Sequence, residues 1–523
     1  MAESGSAGRA GAVPGVLVIG NGVLGLSIAW EVARRAPDCP VTVVGPPERP
    51  GAASAAAGAM LNCFGEVTAQ TFDHPAGRAK FDIARRALDA WPGWLECLRQ
   101  DADEPGLGQD APQGTFVVLG AKAADQTIAN YEAILAVLRA FDEPHQEVAP
   151  SDITGLAPEV NARPVRALHL PREGALDARA TLHALEKALD RRGVARVPQS
   201  AEGLHIVGER VRGVRLADGT LMNADAVVLA AGSLSQAFIQ ELPPGLVPPM
   251  LHGAGLAVQT RRELFPGFAE VVRSPNQAGA CGLHLVPLTG DGDEYIGATN
   301  VLSFHPIAGP RMGVSYNLLR SACEQLDRRL GNSSVRRWLF GRRPVTLDGL
   351  PLLGAAPSCG LIFATGTYRD GFHSSPLIAR HITDVILRPD QAAAKPWEHL
   401  APERAPIEQT TVAESIERFV AHEIDAAVIL GIQLPYCVDP EALTRQSRQR
   451  ATELLERLEE PVALLPEVLN ALNNEPDAGS TLLRPYLRHA RAHYRSSAGP
   501  TTRPSPQRTP PGPPSSPPNA VKR

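Results

Sequence analysis

Lysine is nearly missing from this chain. Of 51 basic residues only Lys80, Lys122, Lys187, Lys395 and Lys522 are lysines, and the rest are arginines. Against 56 acidic residues the formal net charge is −5, so there is no basic excess of the kind that marks a nucleic-acid-binding protein. The arginine bias also makes any single Arg a weak signal. Cysteine is sparse, with seven residues at positions 39, 63, 97, 281, 323, 359 and 437. An odd number with no CxxC and no Cys/His ligand spacing excludes a zinc site and points to reduced thiols. No early stretch joins a basic start to an apolar run and a cleavage site. The longest early apolar run, Val16 to Trp30, is broken by glycines and too short to span a bilayer. The expectation is a soluble, cytoplasmic protein that binds no metal, no membrane and no nucleic acid.

What is present is length and apolar material. A chain of 523 residues with 44% hydrophobic content has room for several domain-sized units with buried cores. Val16-Leu17-Val18-Ile19 reads as a buried strand, Leu26 to Arg35 as a helix, and Val41-Thr42-Val43-Val44 as a second strand. Between the first two lies Gly20-Asn21-Gly22-Val23-Leu24-Gly25. A GxGxxG at the strand-to-helix turn of a βαβ unit is a dinucleotide-binding signature. Gly20 permits the tight turn, Gly22 lets a pyrophosphate approach the backbone, and Gly25 allows helix and strand to pack closely. The helix N-terminus then offers free N–H groups to the phosphates. A carboxylate is expected to end the second strand and hold the ribose hydroxyls. Gly45-Pro46-Pro47-Glu48 stands there instead, which leaves Glu48, backbone groups or water for that task.

Further along, Gly51 to Leu61 is so rich in Ala and Gly that nothing blocks close approach of a flat ligand. Phe81 to Leu98 reads as an amphipathic helix with Trp91 and Trp94 packed inward, Thr115 to Leu119 as a strand and Ala123 to Phe141 as a helix. Val211 to Leu216 runs into the turn Ala217-Asp218-Gly219-Thr220. Leu283 to Pro287 and Glu294 to Gly297 look like an antiparallel pair. Ala226 to Ser233 and Leu361 to Gly366 are apolar strands that end at a glycine, and Ser374-Ser375-Pro376 starts a helix to about Leu387. These late strand–Gly segments return to the dinucleotide-binding sheet. The fold class is therefore α/β: a Rossmann-type domain, a mixed β-rich domain, and a helical C-terminal domain.

Six blocks carry a family resemblance: the GxGxxG unit; Ser54 to Leu61; Gly174-Ala175-Leu176-Asp177; Val228 to Ser233; Arg343-Pro344-Val345-Thr346-Leu347-Asp348-Gly349-Leu350-Pro351; and Ala364 to Gly371. Together, in order over about residues 14 to 390, they resemble the FAD-dependent D-amino-acid oxidase superfamily, most of all its glycine oxidase-like branch. The resemblance implies non-covalent FAD and oxidation of a primary or secondary amine next to a carboxylate. The substrate would be a glycine-, sarcosine- or D-amino-acid-like small molecule, and the acceptor oxygen or another oxidant. By resemblance, Gly20, Gly22, Val23, Leu24 and Gly25 meet the pyrophosphate. Ala52, Ala53, Ser54, Ala57, Gly58, Ala59 and Met60 line the ribityl and ring side. Gly232, Gly366 and the loop Thr367, Tyr368, Arg369, Asp370, Gly371, Phe372 and His373 close the other side. Arg343 falls where the family grips the substrate carboxylate, and Arg369 on a second arginine. A guanidinium fork suits a carboxylate. His284 replaces an aromatic hydroxyl, and is expected to bind the carboxylate, serve as a base, or simply pack. No Cys near Arg343 and no His in Ser54 to Met60 offers a covalent flavin link.

The resemblance implies FAD-binding segments at about 14–100, 155–240 and 340–390, and a substrate domain at about 101–154 and 241–339. Residues 1–13 read as a flexible start and 391–410 as a polar linker. Thr411-Val412-Ala413-Glu414 fits a capping box, and Asp439-Pro440 a second helix start. Helical stretches near 461–473 and 480–494 complete a helical domain over 411–494. Its expected use is a cap, a homo-oligomer contact or docking of a partner. From Gly499 nine prolines in 25 residues, without an acid, predict a disordered tail within 495–523. A second reading of the whole chain is a flavoprotein that has lost catalysis and works as a scaffold through its helical domain.

Overall fold

The computed structural model describes residues 15–278, 280–288, 292–392, 396–432 and 439–495. The expected flexible start, the Pro-rich tail from residue 496 and Cys437 lie outside these residues.

Val16–Ile19 forms the centre of a six-stranded sheet with the order Leu352–Ala355, Leu361–Thr365, Ala226–Leu229, Val16–Ile19, Val41–Val44, Ala195–Val197. All neighbours are parallel except Leu352–Ala355, which runs antiparallel to Leu361–Thr365. Two strands from the far end of the chain thus return beside the first βα unit. Central strands buried on both faces read as continuous apolar runs, which is why they were legible. The Val23–Arg35 helix packs on one face with Pro75–Ala102, Ala178–Arg191 and Ser375–Leu387. Trp30 meets Trp94 edge-on there, with ring centroids 4.6 Å apart.

A second, ten-stranded sheet holds the middle of the chain. Leu285 pairs with Ile296 in the expected antiparallel pair, and Met250–Arg261 pairs along its length with Ser334–Thr346. Pro164–Ala175, placed by sequence among the FAD-binding segments, is a strand of this second sheet. Sequence spacing does not distinguish the two sheets, because both take β-branched strands.

The helical C-terminal region comprises Val412–Ile429, Pro440–Glu456, Pro466–Asn474 and Pro476–Arg495. The capping box forms as expected: Thr411 Oγ1 accepts from the Glu414 N–H, and Glu414 reaches back to the Thr411 N–H. Asp439 caps the next helix. The segment read as a linker is folded onto the oxidoreductase part: Trp397 and Leu400 are buried. Arg404 donates to both carboxylate oxygens of Asp348 (2.9 and 3.0 Å) and to the Pro351 and Leu350 carbonyls. Polar composition signalled a linker, but its Arg404 pairs with one buried carboxylate. The helices share a single core with the second sheet, in which Leu251, Leu302, Phe304 and Val345 meet Phe419, Leu454, Val468, Leu472 and Leu487.

Candidate FAD and substrate site

The GxGxxG turn is built by close contact. Gly20 has φ +113, and a Cβ there would lie 2.4 Å from the Ala230 carbonyl oxygen. A Cβ on Gly25 would lie 1.9 Å from the Gly20 carbonyl oxygen. The helix beginning at Val23 has no acid in its first turn. Its first N–H is held from outside: Ser54 Oγ accepts from the Val23 N–H at 3.0 Å. Ser54 thereby ties the Ala-rich segment to the mouth of the helix.

That segment is tied equally to Arg342, the neighbour of Arg343. The Arg342 N–H donates to the Gly51 carbonyl (2.9 Å), and Ala52 bridges to Arg342. On the other side the Tyr368 N–H donates to the Pro344 carbonyl (2.9 Å), and Val345 bridges to Thr367. The strand Ser334–Thr346 therefore draws both loops to one place. Between them opens a cavity of about 1900 Å³, its mouth included.

Gly20, Gly22, Val23, Leu24, Ala52, Ala53, Ser54, Ala57, Gly58, Ala59, Met60, Gly232, His284, Arg343 and every residue from Thr367 to His373 line this cavity. Gly25 and Gly366 do not. Gly25 packs beneath the turn, and Gly366, at φ +73, shapes the loop behind it. His373 lines it with its ring turned away: Nε2 bonds to the Ala84 carbonyl at 2.7 Å, and its own carbonyl accepts from Trp91 Nε1. Glu48 is exposed and lies off the cavity wall, whereas Arg49 lines it. Where a second-strand carboxylate was expected, a Cβ on Gly45 would lie 2.6 Å from Asn21 Cγ. The Asn21 amide occupies that space and donates to the Pro46 carbonyl (2.9 Å), which presents its Oδ1 as an acceptor. A flat dinucleotide with a pyrophosphate fits this set of bare backbone, helix N-terminus and Ala/Gly wall.

At the other end stand the charged groups. Arg343 Nη1 donates to the Thr299 carbonyl at 2.9 Å. A Cβ on Gly255 would lie 2.5 Å from Arg343 Nη1, so this glycine makes room for the guanidinium. Arg369 donates through Nη1 to Asn276 Oδ1 (3.1 Å) and through Nη2 to the Tyr368 hydroxyl (3.2 Å), while its Nε is buried without a partner. Glu66, which sequence reasoning did not single out, lines the same cavity. Burial works against its charge, but Arg273 at 2.6 Å and Arg369 bring it down to about 2. Its only sequence signal was a carboxylate five residues beyond the Ala-rich block that ends at Leu61. Cys281 also lines the cavity, and its Sγ approaches the same Thr299 carbonyl that Arg343 uses. The expectation that no Cys lies near Arg343 holds along the chain and fails in space, because the antiparallel pairing of Ala280–Pro287 with Asp293–Thr299 sets residue 281 beside Thr299.

His284 is buried and stacked on Tyr295, with centroids 5.8 Å apart. Its Nδ1 bonds to the Gly282 carbonyl (2.8 Å), so Nδ1 carries the proton and Nε2 is the acceptor. Burial above all, with Arg273 and Arg343 nearby, pushes its pKa down to about 4. The ring is neutral under assay conditions. A His284→Gln variant is therefore expected to keep the shape of the kcat/KM profile between roughly pH 6 and pH 9. An inflection near the free-histidine value of about 6.5 that vanishes on substitution would contradict this.

A family profile described as DAO, FAD dependent oxidoreductase, matches residues 15–385. The chain belongs to this FAD-dependent oxidoreductase family. Glycine oxidase of Geobacillus kaustophilus is 28% identical over 381 residues, which cover 72% of this chain and 94% of that protein. The Bifunctional protein ThiO/ThiG of Synechocystis is 27% identical over 403 residues, 74% of this chain, and the match spans about half (54%) of that longer protein. Among solved structures, the same Geobacillus glycine oxidase superposes with TM-score 0.61 at 23% identity, covering 75% of this chain and 99% of its own. Iminodiacetate oxidase from Chelativorans superposes with TM-score 0.62 at 20% identity, covering 74% and 98%. These structures share the fold. The chain is thus an FAD-dependent oxidoreductase of the DAO family, with a helical region beyond the family match.

Proposed function

We propose that the protein oxidises an amine whose nitrogen-bearing carbon also carries a carboxylate, as in glycine, N-substituted glycines or D-amino acids. The observation that supports this reading most is Arg343. Its guanidinium enters the cavity with one arm on the Thr299 carbonyl, and among the described residues no carboxylate pairs with it. A charged fork left open beside an apolar wall of Met60 and Tyr295 suits an external carboxylate. Glu66 is already taken by Arg273 and Asn276, so it leaves Arg343 free. When bound, FAD supplies the hydride acceptor, so the amine leaves as an imine that water hydrolyses, and oxygen as final oxidant gives hydrogen peroxide. The residues of this chain fix the carbon–hydrogen bond in direction by holding the carboxylate. His284, neutral, adds an acceptor at Nε2 rather than a charge. FAD is held non-covalently, by the GxGxxG backbone and the Ala/Gly wall.

Sarcosine and its primary amide test the reading, because they differ only in the carboxylate. The amide is expected to turn over at least about a hundredfold more slowly. Equal rates would contradict carboxylate recognition.

A further inference from the structure

The family match ends at residue 385, yet the helices beyond it reach the substrate end of the cavity. The path runs through two residues, Thr299 at the end of the strand Asp293–Thr299 and Asn300 between it and the strand Val301–Ser303. The Thr299 carbonyl accepts from Arg343 Nη1. Asn300 Nδ2 donates to the Tyr368 hydroxyl, which also accepts from Arg369 Nη2. The Arg369 guanidinium lies 4.7 Å from the centre of the Tyr368 ring. One dipeptide therefore touches the supports of both Arg343 and Arg369.

The chain just after it is gripped by the C-terminal region. Glu475, between the helices Pro466–Asn474 and Pro476–Arg495, accepts from Ser303 Oγ (2.8 Å) and from the Phe304 N–H (2.9 Å). Gly479 packs so closely that a Cβ there would lie 2.8 Å from the Phe304 ring. Leu302 faces Gly253, the residue that pairs with Arg343 on its other side. Tyr368 itself packs against the shared core of the C-terminal helices, and the Glu467 carboxylate on Pro466–Asn474 acts electrostatically on Tyr368 and Arg369. Tyr368 sits at φ +53, a left-handed conformation that is strained for a non-glycine residue and persists only where surroundings hold it. The C-terminal helices are among those surroundings.

We propose that the C-terminal helices Val412–Ile429, Pro466–Asn474 and Pro476–Arg495 are a fixed part of the substrate site, and that Glu475, between the last two, is a positioning residue. By holding Ser303 and Phe304 it fixes Thr299 and Asn300, and through them the spacing of the Arg343 and Arg369 guanidiniums. The proposal rests on the reading that these guanidiniums receive a substrate carboxylate. It gives the region a role in substrate binding that a separate docking module would not have. A displacement of about 1 Å at such a distance from the chemistry is enough to cost activity.

The test uses the FAD-loaded full chain, Glu475→Gln and, as a milder variant that removes only one arm of the grip, Ser303→Ala. Hydrogen exchange reads the grip directly. Glu475→Gln is expected to speed exchange both at 299–304 and at 367–371, the second segment having no bond to Glu475. Glycolate, the hydroxyl analogue of glycine, reads the consequence through the flavin absorbance. Its dissociation constant is expected to rise about tenfold in Glu475→Gln and a few-fold in Ser303→Ala, with FAD retained. Unchanged exchange at 367–371 in both variants, or unchanged glycolate affinity in both, would overturn the proposal. A wild-type protein that ignores glycolate would instead contradict the carboxylate reading, and exchange at 367–371 would still decide whether the helices hold the Tyr368–Arg369 loop.

Discussion

Replacing Arg343 by alanine should lower kcat/KM for a carboxylate-bearing amine by roughly 10²–10³-fold, about 3–4 kcal/mol of transition-state stabilisation. The reasoning is one of geometry and dielectric. The guanidinium sits in a pocket lined by Gly255, Leu256, Tyr295 and His284, with the Thr299 carbonyl as its protein partner. A substrate carboxylate placed there loses its water and needs a charge-assisted fork in return. Alanine leaves that carboxylate buried and unpaired. Arg343→Lys is expected to fall between the two, since a point charge does not reproduce a planar fork. Steady-state kinetics give the answer, and the FAD content should stay at wild-type level because the flavin-side wall is untouched. A variant with unaltered kcat/KM would remove Arg343 from the substrate site.

Gly25→Val should abolish FAD binding, raising the dissociation constant at least about a hundredfold. A side chain at Gly25 collides with the Gly20 carbonyl at 1.9 Å and its carbon at 2.9 Å. Both are backbone atoms of the turn itself, so neither can rotate away. The helix must lift off the strand, and its N-terminus no longer faces the phosphates. Gly22→Ala provides the contrast: its Cβ meets only the Ser54 hydroxyl at 3.2 Å, which has room to adjust, so a few-fold loss is expected. Flavin absorbance per protein after gel filtration measures both. A Gly25→Val protein that keeps full flavin would refute the packing argument.

The parts of this molecule that were legible in its sequence are those specified locally. The Val16–Ile19 strand, its glycine turn and its helix form within about thirty residues and bury nearly everything, so pattern and spacing suffice. The strand–Gly segments at Leu229 and Thr365 were legible for the same reason. Arg343 and Arg369 were legible only through resemblance, because in a chain whose basic residues are almost all Arg no single one stands out. Glu66 escaped notice because its meaning depends on Arg273, 207 residues away. Cys281 escaped because strand pairing, not sequence distance, brings it to Thr299. The segment around Arg404 looked like a polar linker, since composition does not show that one arginine satisfies a buried Asp348. The C-terminal helices announced their caps and periodicity. Their attachment to Ser303 and Phe304 through Glu475 is a tertiary fact with no local signature.

Anaerobic mixing of the FAD-loaded protein with glycine, sarcosine, D-amino acids and N-alkyl amino acids, followed by flavin absorbance, tests the central claim most directly. The account predicts that the oxidised band bleaches with at least one of these carboxylate-bearing amines, and that Arg343→Ala slows the bleaching by roughly 10²-fold or more. A flavin that no such amine bleaches, or that Arg343→Ala bleaches at the wild-type rate, would contradict it.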